Sequence, residues 1–263
     1  MIRALYSAAS GMNAQQLNVD NIANNLANAN TAGYKMRRTE FQDLVYQNLV
    51  QPGTASGAQS TVPVGLQIGL GARPASNEII LTQGNLSGTE NPLDVAIQGS
   101  GFFQIKQADG TLAYTRDGSF QLDKNGNVVN SSGLMLEPAI TIPPQATAVT
   151  IAADGTVSYT QHGQTAAQTA GQIQLATFQN PAGLNSLGGN LLGQTEASGQ
   201  PIIANPGSTE GTGTLMQGYQ EQSNVNVVQE FIDLIQSQRA YEANSKVVKA
   251  ADEMYQQTNN VAQ

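Results

Sequence analysis

Apolar residues recur every seven positions at both ends of this chain. Near the N-terminus Leu5, Met12, Val19 and Leu26 form one row, with Ala8, Gln15, Ile22 and Ala29 between them. That spacing predicts a helix with a heptad-like seam. At the C-terminus Val227, Leu234, Tyr241, Val248 and Tyr255 repeat at the same interval, with Phe231 between the first two. A neighbouring row of Ala240, Val247 and Met254, widened by Ala243, Ala250 and Ala251, makes this stripe broad enough to meet more than one neighbour. Ser223 or Asn224 is the expected N-cap. Helix breakers follow the same division. Residues 1–33 hold one glycine before Gly33 and no proline, and residues 219–263 hold neither. The pattern therefore predicts assembly helices over 1–33 and 220–263, the second stripe fixing Val227, Phe231, Leu234, Tyr241, Val248 and Tyr255 as interface candidates beside Leu5, Met12, Val19, Ile22 and Leu26 on the first.

The middle of the chain alternates at period two. Val95 and Ile97, Phe103 and Ile105, Phe120 and Leu122, Val149 and Ile151, Val157 and Tyr159, and Ile173 and Leu175 read as short strands. Asp109-Gly110, Asp117-Gly118, Asn125-Gly126 and Asp154-Gly155 supply turn signals between them. This predicts an irregular all-β domain over 76–219. Residues 34–75 read as a linker, since the stretch from 51 to 76 is rich in Gly, Ser and Pro. The fold class expected is α+β, with long N- and C-terminal helices forming a coiled-coil-like domain around the central β-domain.

Seven asparagines lie between Asn13 and Asn30. Asn is a poor helix former, so this helix needs a partner surface to persist in water. Two partners are open to it: the C-terminal helix of the same chain, or helices of neighbouring copies. The width of the second stripe, and the hydrogen bonds that buried amides would demand, favour neighbouring copies.

Composition sharpens this. Charged residues are 11% of the chain, against about 25% in typical soluble domains, and Gln, Asn, Ser, Thr and Gly take their place. Such a surface suits packing against copies of itself. The net charge of −8 runs against nucleic-acid binding. No apolar run reaches membrane-span length, and the first residues, MIRALYSAASGM, lack the apolar centre of a secretory signal.

Candidate chemistry is sparse. Cysteine is absent and His162 is the single histidine, so zinc sites and serine triads lack their parts. His162 reads as a surface-loop residue in YTQHGQT. DKNGN at 123–127 has the alternation of a calcium loop, but Val128 and Leu134 stand where Gly and Glu are required, so it reads as a hairpin turn. Gly65, Gly69 and Gly71 lack the Lys-Ser/Thr of a phosphate loop. Lys35, Arg37 and Arg38 read first as a complement to the dipole at the end of the N-terminal helix, second as a site for an acidic surface. The sequence predicts no catalytic residue, no cofactor and no metal. Two competing functions are a peptidoglycan hydrolase, which requires an acid/base pair or metal site that the residues do not offer, and an adhesin on coiled-coil stalks, which predicts a compact two-fold or three-fold oligomer in place of a tube.

Four segments resemble one family. SAASGMNAQQLNVDNIANNLANANTAGYK (7–35), NPLDVAIQGSGFFQI (91–105), YTRDGSFQLDKNGNVV (114–129) and SNVNVVQEFIDLIQSQRAYEANSKVV (223–248) are similar, in that order, to the motifs of bacterial flagellar rod and hook proteins. The length and the segment around 51–76 resemble the distal end of the rod, with the proximal rod as the nearest rival and hook proteins as longer relatives. The resemblance implies a periplasmic tube built by self-association. It also implies delivery by the flagellar type III export apparatus, and contacts with the proximal rod protein, the hook protein and the P-ring and L-ring proteins.

Overall fold

The computed structural model describes all residues except 1, 54, 58–59, 62, 163–165, 209–210 and 262–263. The chain divides into two compact units. One is made of Met1–Ala27, Arg37–Glu78 and Asn226–Gln263, the other of Asn28–Met36 and Ile79–Val225. The backbone passes from one unit to the other four times, at 27/28, 36/37, 78/79 and 225/226.

The first unit holds both helices, α1 (Ile2–Ala27) and α2 (Val227–Val261). Among the described residues it also holds six strands: β1 (Arg37–Asp43), β2 (Tyr46–Val50), β3 (Ala55–Gly57), β4 (Ser60–Thr61), β5 (Leu66–Gly69) and β6 (Ala72–Ile79). Strand β1 pairs with β6, β2 with β5 and β3 with β4. The stretch expected to be a linker is thus a long β-hairpin. Its Gly-rich composition hides it for a physical reason. The β2–β5 ribbon has no fully buried face, and a ribbon open on both sides needs no period-two alternation. Some of its glycines sit where a left-handed backbone is required, at Gly53 (φ 82°) and Gly71 (φ 116°). A side chain at Gly71 would collide with Ser10 Oγ of α1, which accepts a hydrogen bond from the Ala72 amide at 3.4 Å. The hairpin therefore starts flush against the helix.

The second unit is antiparallel β throughout. Among the described residues its main sheet has nine strands, with Phe102–Lys106 near the middle between Leu112–Thr115 and Met135–Glu137. Alternation along that strand feeds two cores. Phe103 and Ile105 join Val95, Ile97, Phe120, Leu136, Ile173 and Leu175 in the larger. Phe102 joins Tyr114, Ala176, Phe178 and Leu184 in the smaller. Edge-to-face rings mark both, Phe103 on Phe120 with centroids 5.1 Å apart and Tyr114 on Phe178 at 4.8 Å. Strands Ala146–Ile151, Thr156–Gln161 and Gln168–Gln172 form a separate three-stranded sheet. Gly110, Gly126 and Gly155 take the left-handed conformation that their Asp-Gly and Asn-Gly pairs predict. Asp117-Gly118 does not form a hairpin turn. Gly118 is needed because the backbone of Val95 passes against it, the Val95 amide donating to the Gly118 carbonyl at 3.0 Å.

The segment Asn28–Met36 belongs to this β-unit, and α1 stops at Ala27 instead of running to 33. Gly33 adopts φ 68° and its amide donates to the Glu221 carbonyl at 2.7 Å. A Cβ there would lie 2.6 Å from the Asp117 amide nitrogen. Two residues on, Lys35 is buried rather than serving the helix dipole. Its ammonium pairs with Glu221 Oε1 and donates to the Thr82 carbonyl at 2.8 Å. Arg116 meets Glu221 Oε2 at 3.3 Å, donates to the Gly99 carbonyl at 2.7 Å, and lies over the Phe102 ring at 5.4 Å. One buried carboxylate thus compensates two buried cations. Burial pushes the Lys35 and Arg116 pKa values down, and Glu221 opposes the shift in both. Arg37 and Arg38 take other parts. Arg37 offers its backbone to α1, and Arg38 makes exposed ion pairs with Glu40 and Glu78 at 3.3 and 3.5 Å, each worth about 0–1 kcal/mol.

Removing Glu221 strands two buried cations. Urea unfolding followed by the tyrosine near-ultraviolet signal should show Glu221→Ala losing about 3–5 kcal/mol. The triple change Lys35→Met/Arg116→Met/Glu221→Leu should recover most of that loss. Gly33→Ala should cost more than about 1 kcal/mol in the same assay, since it meets both the left-handed backbone and the Asp117 amide.

Candidate assembly interface

Helices α1 and α2 pack against each other in antiparallel fashion, and the seam between them is polar and small. Asn25 Nδ2 lies 3.4 Å from both Glu230 carboxylate oxygens, and Asn18 Nδ2 donates to Ser237 Oγ at 2.9 Å. Gly11 sits opposite Asn244, where a Cβ would come within 2.8 Å of the Asn244 amide nitrogen. Along α1 these positions are 11, 18 and 25, and along α2 they are 244, 237 and 230. Asn25, Glu230 and Ser237 are buried together with Ala8, Ala14, Asn21 and Ala251, and among the described residues of the two helices Ile22 is the one large apolar side chain buried with them.

The asparagines that weaken α1 as a lone helix are what tie it down. Asn25 reads both backbone groups of one residue. Its Nδ2 donates to the Arg37 carbonyl at 2.9 Å and its Oδ1 accepts from the Arg37 amide at 3.0 Å. Asn21 Nδ2 donates to the same carbonyl at 2.9 Å. Tertiary bonds thus outweigh the unfavourable propensity, and the amides expected to oppose an in-chain pairing are satisfied by it. Glu230 is pushed above the ordinary carboxylate range by burial, with the Asn25 bond opposing and Asp233 adding to the rise. The N-cap of α2 is Asn226 and not Ser223 or Asn224. Its Oδ1 accepts from the Val228 and Gln229 amides at 3.1 and 3.3 Å. Asn224 is committed elsewhere, accepting from the Met36 amide at 2.7 Å and donating to the Ile80 carbonyl at 2.8 Å.

The heptad residues fall around this seam. Ile22 is buried in it, Leu5, Met12, Val19 and Leu26 are half-buried on α1, and so are Leu234, Val248 and Tyr255 on α2. Val227, Phe231 and Tyr241 are exposed. The most coherent open stripe was not singled out by the seven-residue rows. Val228, Phe231, Ile232 and Ile235, at i, i+3, i+4 and i+7, are 69%, 47%, 43% and 51% exposed. Tyr6 and Leu17 of α1, Val247 and Met254 of α2, and Tyr46, Leu49, Leu66 and Ile68 of the β2–β5 ribbon add to the uncovered apolar area. Such area on a folded chain marks an interaction surface.

The residues considered for chemistry are used otherwise. Asp123 accepts from the Asn125 and Asn127 amides at 2.7 and 2.8 Å, so its carboxylate is spent inside its own turn and is held below the usual range by those bonds. His162 is exposed in a turn, and its neighbours 163–165 lie outside the described residues. Among the described residues no group of three or more His, Asp or Glu side chains is placed to hold a metal ion, and no helix is long and apolar enough to cross a membrane.

Three family models match in chain order. Residues 5–35 match the flagella basal body rod protein model, 96–159 the flagellar hook protein FlgE/F/G D1 domain, and 216–261 the flagellar basal body rod FlgEFG protein C-terminal model. The flagellar basal-body rod protein FlgG of Buchnera aphidicola subsp. Acyrthosiphon pisum is 51% identical over 99% of this chain and 100% of its own length. FlgG of Caulobacter vibrioides is 48% identical and FlgG of Bacillus subtilis 40%, each over 99% of both chains. The matched ends take in most of α1 and all of α2, and the matched centre supplies most of the larger β-core. With relatives of that identity spanning it end to end, the chain belongs to the FlgG family of flagellar basal-body rod proteins.

Proposed function

We propose that this structural subunit of the flagellar distal rod polymerises through the outward apolar faces of α1 and α2, forming a tube whose bore continues the export channel and whose rigidity carries torque to the hook. One observation supports this above others. The two helices spend their polar and small side chains on each other and leave the Val228–Ile235 stripe uncovered. Head-to-tail contacts that do not close on themselves generate a helical array. Each copy added would bury apolar area worth about 25 cal/mol per Å². The interface draws on the predicted residues Leu5, Met12, Val19, Leu26, Val227, Phe231, Leu234, Tyr241, Val248 and Tyr255, joined by Val228, Ile232 and Ile235, while the predicted Ile22 is taken up by the seam inside the chain. The 1–33 and 220–263 segments act as assembly elements and 76–219 as the outer domain. The β2–β5 ribbon, with Tyr46, Leu49, Leu66 and Ile68 exposed, lies against neighbouring copies and stiffens the tube.

Specific partners follow from that position: the proximal rod protein below, the hook protein above, the P-ring and L-ring proteins around, and the type III export apparatus as the route of delivery. We read the chain as non-catalytic. Its relatives are rod proteins, and the sequence marks out no two of its Asp and Glu side chains as an acid/base pair. Release of sugar fragments from purified cell wall by the chain alone would overturn that part.

Electron microscopy of concentrated protein should show tubes from the full chain and none from residues 28–225. Phe231→Asp/Ile235→Asp should abolish tubes while leaving the monomer's circular dichroism within a few per cent of the parent. If that variant still forms tubes, the α2 stripe is not the interface.

The raised pKa of Glu230 sets a pH dependence. A carboxyl whose folded pKa lies above its unfolded value favours the folded state when protonated. The helix pair should therefore gain stability as pH falls from the raised value to the ordinary Glu range. Thermal unfolding of the dilute monomer should show a higher helix melting temperature near pH 5 than at pH 7. Glu230→Gln should flatten that difference.

A further inference from the structure

The seam between α1 and α2 repeats with the same seven-residue period as the apolar rows, but its residues are polar or small. Three rungs cross it: Gly11 with Asn244, Asn18 with Ser237, and Asn25 with Glu230. The two numbers of every rung move by seven in opposite directions, so one antiparallel register satisfies all three at once. Sliding α2 by one heptad would put Gly11 against Ala251, Asn18 against Asn244 and Asn25 against Ser237. Glu230, buried to 5% exposure, would then lose its partner. Sliding by three residues the other way would set Asn18 against Leu234 and Asn25 against Val227, and neither Asn18 nor Glu230 would keep its polar partner across the seam. A purely apolar seam carries no such penalty, because any apolar side chain satisfies any other.

We propose that this polar ladder is a specificity device. It fixes α1 on the α2 of its own chain in a single register, so that the apolar stripes of both helices emerge as one surface of fixed geometry. Asn18, Asn25, Glu230 and Ser237 are positioning residues in this scheme, and Gly11 supplies the close approach that admits Asn244. The inference rests on the reading of the chain as a polymerising subunit, because a fixed register matters most where the exposed stripes must match copy after copy. Burial of polar groups costs stability compared with an apolar seam, which is the usual cost of such register control. The rival source of register is the anchor inside the β-unit, where the Gly33 amide meets the Glu221 carbonyl just beyond the helix ends.

The chain contains no cysteine, so introduced pairs report without interference. Gly11→Cys/Asn244→Cys should close a disulfide in dilute monomer, and the slip reporter Gly11→Cys/Ala251→Cys should give about tenfold less. Placed on the near-isosteric background Asn18→Leu/Ser237→Ala/Glu230→Met, which leaves Asn25 its bonds to Arg37, the slip reporter should rise about tenfold. In case that background loses helicity, two milder variants carry the same comparison. Ser237→Ala alone should raise the slipped product, and the exchange Asn18→Ser/Ser237→Asn should return it to the parent level. A slip reporter that stays silent in the ladderless protein, or an exchange no better than the deletion, overturns the proposal and assigns register to the Gly33–Glu221 anchor. Crosslinking is read on dilute monomer and tubes by microscopy on concentrated protein. Failure of the ladder and failure of the tube reading are therefore separate results.

Discussion

Helices α1 and α2 bury mostly small and polar side chains against each other, and a seam of that kind gains little from removing apolar area from water. Hydrogen bonds such as Asn18 to Ser237 add about 0.5–1.5 kcal/mol each, enough to choose a geometry but weak support for two helices of 26 and 35 residues. Much of the apolar surface that could hold such a pair firmly, as at Val228, Phe231, Ile232 and Ile235, stays exposed. The rest of the first unit follows from this division. Its α1 is ordered by tertiary bonds to the start of β1, the N-cap of α2 is Asn226, and its apolar stripes stay exposed.

The β-unit obeys the opposite rule. Two apolar cores fill both faces of its central strand, and the sheet needs nothing outside itself to bury Phe103, Ile105 or Tyr114. One electrostatic risk in it, two buried cations on a single carboxylate, is offset by backbone carbonyls at Thr82 and Gly99 and by the face of Phe102. The segment carrying Gly33 and Lys35 is held by residues more than 180 positions away, as in the Lys35–Glu221 pair separated by 186. That tie fixes where α1 must stop.

Much of this was legible in the residues. Breakers confined to the middle marked out both helices, and period-two alternation found the strands around Val95, Phe103 and Val157. What was missed has identifiable causes. Asparagine was weighed by its helix propensity, and propensity is blind to a partner such as the Arg37 peptide. The rungs at 11, 18 and 25 and at 230, 237 and 244 were visible as spacing, but a search restricted to apolar rows passes over them. The ribbon of β2 and β5 carries no alternation because neither face is buried within the chain. Lys35 and Glu221 could not be matched, since nothing local to either signals the other. The N-cap lies two residues beyond Asn224 and three beyond Ser223 because the segment Ser223-Asn224-Val225-Asn226 offers three capping side chains, and only the hydrogen bonds distinguish them.

The matched spacing of the rungs has a bearing on how such a chain can change its length. Inserting or deleting one residue in either helix rotates every later rung about 100° off the seam. Only losses or gains of whole heptads, made in both helices together, would leave the pairing intact. Loops and ribbons carry no such bookkeeping, and the tip of the hairpin between β2 and β5 can lengthen or shorten a residue at a time. Variation in size among chains built on this plan should therefore collect between the helices and spare them, however far the sequences drift.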